Sequence, residues 1–75
     1  MDRAALDAAL IDAHEAGDKS RLVALYSQAA DLAEAEANID ACCFYLTHAY
    51  VFALDCGVPE ATDLHARLLE FGREE

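Results

Sequence analysis

The chain has 75 residues and a formal charge of −10, from fifteen acidic and five basic side chains, which places it near the lower size limit for one self-sufficient core. Such an acidic surface repels phosphate backbones and anionic lipid, so nucleic-acid binding and membrane-surface roles are excluded from the leading readings. Three cysteines give no even disulfide framework, and Met1-Asp2-Arg3 lacks the basic start and apolar run of a secretory leader; the expected compartment is reducing and cytoplasmic.

The first predicted helix covers about residues 2–16. Leu6, Leu10 and Ala13 recur at i, i+4 and i+7, with Asp2 as a candidate N-cap and Gly17 free to take the left-handed turn that ends a helix. Asp18 caps a second helix running to Ala35, with the stripe Leu22, Leu25, Tyr26, Ala29, Leu32 and Ala33. Asn38 caps a third. Its Ile39, Cys43, Leu46, Tyr50 and Ala53 form one apolar face, and Cys42, Ala49, Phe52 and Cys56 form another. A helix apolar nearly all round is expected to be covered on most sides, either as the central element or by a second subunit. The most apolar stretch, residues 41–54, is too short to span a bilayer.

The fourth helix opens at Pro59, whose fixed φ and missing N–H suit a first turn, and its stripe is Ala61, Leu64, His65, Leu68 and Phe71. Gly72 and the charged Arg73-Glu74-Glu75 are expected to fray. No stretch alternates with the period of a strand, and the short connections force neighbouring helices to run antiparallel. The predicted fold is therefore all-α: four short antiparallel helices in one domain, as two stacked hairpins over residues 2–36 and 38–72. The alternative is a closed four-helix bundle. The high apolar fraction, much of it alanine, also predicts self-association, with a homodimer as the simplest form.

Laid over one another, the two halves pair Leu6 with Cys43, Ala9 with Leu46, Leu10 with Thr47, Ala13 with Tyr50, Leu22 with Ala61, Tyr26 with His65 and Ala29 with Leu68. With the Gly17-Asp18 turn, the run Leu22, Tyr26 and Ala29, and the Leu46, Thr47 and Tyr50 spacing, the chain resembles the tetratricopeptide repeat family of helical hairpins of about 34 residues. No Trp occurs and His65 stands where an aromatic is usual. In that family the first helix of each hairpin lines a concave surface that holds peptide ligands. The resemblance thus implies a partner-binding set of Asp7, Ile11, His14 and Glu15 from the first hairpin and Phe44, His48 and Phe52 from the second. It implies a protein–protein interaction module, with an acidic rim that favours basic partner segments.

Chemistry-bearing patterns are sparse. Glu-x-x-His and His-x-x-x-His spacings are absent, so a metal site from His14, His48 and His65 would need three helices to converge, and no metal or other cofactor is expected. His65 reads as a half-buried stand-in for an aromatic. Adjacent Cys42 and Cys43 diverge on a helix and read as core residues, with Cys56 near its turn the thiol nearest solvent. Neither a nucleophile–base arrangement nor a glycine-rich phosphate loop can be assembled, so no catalytic activity is expected. The competing reading is a structural helical subunit or oligomer building block; a small-ligand or metal-binding protein using the histidines with Asp12, Glu15 or Asp40 ranks third.

Overall fold

The computed structural model describes residues 3–72; the candidate cap Asp2 and the terminal Arg73-Glu74-Glu75 lie outside them. It is all-helical: α1 Arg3–Ala16, α2 Lys19–Ala35, α3 Ile39–Cys56 and α4 Glu60–Glu70. Pro59 stands just ahead of α4 with φ −64°, as its ring dictates, and a helical ψ of −22°. None of these helices is long and apolar enough to cross a membrane.

Three turns of one design separate the helices. At each, a residue in the left-handed region follows the helix: Gly17 at φ 67°, Ala37 at 59° and Gly57 at 67°. The next amide then reaches back to close the last turn: Asp18 N–H to the Ala13 carbonyl at 3.0 Å, Asn38 to Ala33 at 2.8 Å and Val58 to Ala53 at 3.2 Å. In the first two turns the same residue also opens the next helix. The Asp18 side chain accepts from the Arg21 amide, and the Asn38 side chain from the Ala41 amide. One residue thus ends a helix and begins another, which folds neighbours back on themselves.

Ala37 is the exception in this set, because a Cβ in the left-handed region costs about 1–2 kcal/mol. Ala37→Gly is expected to stabilise the protein by about 1 kcal/mol, after the greater freedom of glycine in the unfolded chain is discounted. That corresponds to a rise of roughly 4–8 °C in the midpoint of a circular-dichroism melt for a domain of this size. An unchanged or lower midpoint would contradict the left-handed assignment.

Packing runs in sequence order. α2 meets α1 on one side and α3 on the other, α3 meets α4, and α2 against α3 is the most extensive interface. α1 and α4 do not meet among the described residues, and the Cα trace extends 32 × 29 × 13 Å. The helices therefore form a flat open array and not a closed bundle. Leu6, Leu10 and Ala13 of α1 pack on Leu22, Leu25 and Ala29 of α2. A second cluster joins Val23, Ala30 and Ala33 of α2, Cys42, Leu46, Ala49 and Ala53 of α3, and Leu64 and Leu68 of α4. Tyr26, Tyr45 and Phe52 pack against both clusters and so tie them together.

The expectation that its own chain covers α3 on nearly all sides is corrected here. Leu46 is fully buried and Tyr50 and Phe52 are half-buried, but Phe44, Val51 and Leu54 are each at least half exposed and Ile39 is also exposed. Periodicity registers that a side is apolar without registering whether anything lies against it. α2 shares the centre instead, burying Val23 and Ala30 beyond the expected stripe. Its alanines let neighbouring helices approach closely while adding little to any hydropathy signal. Cys42 and Cys43 are buried, and Cys56 is exposed.

Candidate interaction surface

Tyr26, at the middle of α2, is the hub of a ring cluster drawn from three helices. Burial raises its hydroxyl pKa above the ordinary value, and Tyr45 adds to that rise. A half-buried phenol needs a polar partner, and Tyr26 has one: its hydroxyl shares a hydrogen bond of 2.9 Å with Nε2 of His14 on α1. Its ring stacks on Phe52 of α3 at 5.9 Å and 13° between planes, and lies 5.2 Å from His48 and 6.2 Å from Tyr45. His14 in turn meets Phe52 edge-on at 5.8 Å. α1 and α3 are thereby joined by side chains over α2.

Phe44 extends the cluster outward, 4.4 Å from His48 and 5.5 Å from Tyr45 by ring centroids. The Nδ1–H of His48 donates to the Phe44 carbonyl at 2.9 Å, which leaves Nε2 as the acceptor of the neutral ring. Four of the seven residues implied by the resemblance are therefore brought together: His14, Phe44, His48 and Phe52. Asp7 borders the same face, in a small depression shared with Arg3, Leu6, Ala29, Leu32 and Tyr45. Ile11 lies between Asp7 and His14 at i, i+4, i+7 spacing and is 59% exposed. Glu15 is exposed and joins no ring or ion pair of the cluster.

Sequence reasoning missed Tyr26 and Tyr45 as members of this face. Tyr26 was assigned to the core stripe, and the unmet demand of its hydroxyl was the signal that it also reaches a polar neighbour. Tyr45 fell between the two apolar faces drawn on α3. No protein-family model, curated protein or solved structure matches the chain.

His65 of α4 stacks on Tyr50 of α3 at 5.3 Å and 18°, whereas Tyr26 of α2 meets His14 of α1 edge-on at 5.9 Å and 77°. His65 thus occupies an aromatic's place, half-buried. His14 and His48 both border Tyr26, whereas His65 lies against Tyr50; among the described residues no three His, Cys, Asp or Glu side chains are grouped to hold a metal ion. Burial pushes the Cys42 thiol pKa up against the opposing pull of Arg67, with Glu34, Cys43 and Asp31 adding to the rise; its thiolate is thereby disfavoured.

The described cations all face carboxylates. Arg3 pairs with Glu36, Lys19 with Asp55 at 3.6 Å, Arg21 with Asp12 at 3.1 Å, and Arg67 with Asp31 at 3.0 Å and Glu34 at 3.3 Å. These pairs are largely solvent-exposed and contribute little stability each. Their consequence is electrostatic, because they leave the negative charge of the remaining acids uncompensated.

Proposed function

We propose that the protein is a small cytoplasmic protein–protein interaction module of the tetratricopeptide kind, without catalytic activity, that docks a partner segment across α1 and α3. The observation that carries this reading is exposed Phe44 bordering the ring cluster of His14, Tyr26, His48 and Phe52, with exposed Ile11 one helical turn from His14 on α1. Exposed apolar side chains grouped on one face are the usual mark of an interaction site, and scattered ones are not. The rings behind them are braced by one another, so the face is held rigid before a partner arrives, which lowers the ordering cost of binding.

A photoreactive amino acid at position 44 tests the reading. It should cross-link one recurrent protein segment in cells, and Ile11→Ser with Phe44→Ser should abolish recovery of that segment. Both side chains are exposed, so the double variant should melt within a few degrees of the parent. Loss of fold, or recovery of the same segment by the double variant, would defeat the assignment.

The second reading, a homodimer or fixed subunit, draws on Val51 and Leu54, exposed at 50% and 56% along the outer arc of α3. The total accessible surface, 4458 Å², is close to the roughly 4500 Å² expected of a compact monomer of this mass. The case for self-association therefore rests on where the apolar surface lies and not on its amount. Sedimentation at micromolar concentration decides it: a strict 8.1 kDa monomer removes the dimer and leaves the module reading intact.

A further inference from the structure

Phe44, Thr47, Val51 and Leu54 follow one another on α3 at steps of three, four and three residues, and all four are exposed. Steps of that kind keep a row of side chains facing one neighbouring helix along its length, the pattern of a coiled-coil seam. α2 and α4 pack on the other side of α3, around Cys42, Leu46, Ala49 and Ala53, and leave the seam open. A depression lies between Asp40, Cys43, Phe44 and Thr47, with His48 at its edge. Those four stand at i, i+3, i+4 and i+7, the set that surrounds an inserted side chain of a facing helix. The seam is also where a like copy can approach. Residues 41–54 include no charged side chain, whereas α1 exposes Asp7, Asp12 and Glu15 and α4 exposes Glu60, Asp63 and Glu70. Two copies of formal charge −10 meeting through either of those helices would set carboxylate against carboxylate.

We propose that the seam seats the α3 of a second copy, running antiparallel about a two-fold axis at the level of Ala49. The proposal rests on the dimer reading above and fixes its helix, direction and register. Phe44 and Leu54 lie equally far from Ala49 on either side, as do Thr47 and Val51. Phe44 therefore meets the partner's Leu54 and Thr47 meets the partner's Val51, and the axis repeats both contacts. The same register drops the partner's Leu54 into the depression beside Phe44. A parallel pairing is disfavoured, because it sets Asp40 beside the partner's Asp40 and lays two helix dipoles side by side in one sense. The antiparallel contact draws on neither Asp40, which is engaged within its own chain, nor Asp55, which pairs with Lys19. Because Phe44 belongs to both faces, a docked partner segment and the second copy displace one another.

One helix face is at the small end of specific interfaces, so a micromolar, exchanging dimer is expected. Sedimentation velocity across the micromolar range should show it, and the dimer should tighten several-fold from low to high salt as the charge of two like copies is screened. Val51→Glu puts a carboxylate into the seam of each copy and should weaken the dimer by at least about a hundredfold. Its circular-dichroism spectrum should match the parent's, since Val51 is half exposed. Direction and register are read by disulfide linkage in a Cys56→Ser background, which removes the exposed thiol. Oxidising a mixture of Phe44→Cys and Leu54→Cys chains should give the mixed dimer, identified by mass, and Leu54→Cys chains alone should give none. A dimer that persists in Val51→Glu, a mixture that does not link, or linkage of Leu54→Cys chains to each other overturns this pairing and keeps the dimer reading. A parent that stays strictly monomeric overturns both.

Discussion

Leu46→Ala should bring the protein close to unfolding at room temperature. Leu46 is wholly buried in α3, within the cluster built from Val23, Ala30 and Ala33 of α2 and Leu64 and Leu68 of α4. Removing a buried leucine side chain costs about 2–5 kcal/mol, and the upper part of that range applies where the surroundings cannot collapse into the space. Here several of the surrounding residues are alanines, whose side chains have no reach with which to fill it. A domain this small holds only about 5 kcal/mol in total. The matched control is Leu54→Ala on the same helix, 56% exposed, which should change stability by no more than about 0.5 kcal/mol. Urea denaturation read by circular dichroism checks both, with the slope showing whether the unfolding transition is otherwise unaltered. Equal midpoints for the two variants would mean that α3 is not packed as described.

The contrast between Leu46 and Leu54 also shows what the sequence carries and what it does not. Helix limits were legible because they rest on local chemistry: Asp18 and Asn38 can cap, Gly17 and Gly57 can turn left-handed, and each acts within a few residues. The stripes of α1 and α4 were legible for the same reason, since one face of each is apolar and that face is buried. α2 and α3 were harder. An alanine such as Ala30 has the same letter as exposed Ala24, and only the approach of a second helix separates them. On α3, Phe44 and Leu46 are both apolar, and nothing local says that one is covered by α2 and α4 while the other faces outward. The open array was likewise unreadable, because identical stripes serve a closed bundle; what separates them is the absence of contact between α1 and α4.

The candidate face was legible in part, through the resemblance and not through periodicity. Matching the first helices of the two hairpins picked out His14, Phe44, His48 and Phe52, which do meet. It could not pick out the α2 residue on which three of them converge, because a rule about first helices says nothing of a second-helix side chain long enough to rise between them.

That residue gives the second large effect. Tyr26→Ala should cost about 3 kcal/mol, at the lower end of the range for large aromatic truncations because the ring is only half-buried. Tyr26→Phe keeps the stacking on Phe52 and loses only the hydrogen bond to His14, so it should cost about 0.5–1.5 kcal/mol. The two variants divide the residue into ring and hydroxyl. They also divide the fold, since Tyr26 packs against both core clusters: Tyr26→Ala should speed amide exchange in α1, the outer helix it ties to α3, more than in α4. The raised pKa supplies a separate mark. The unfolded phenol gives up its proton first, so the stability Tyr26 contributes is whole below pH of about 10 and is lost as pH rises through the higher folded value. Tyr26→Phe should remove that part of the alkaline loss while leaving neutral-pH folding nearly intact. If the Phe and Ala variants fell equally in stability at neutral pH, the hydroxyl and not the stacked ring would be what joins α1 to α3, and the rigid ring face proposed for docking would lose its support.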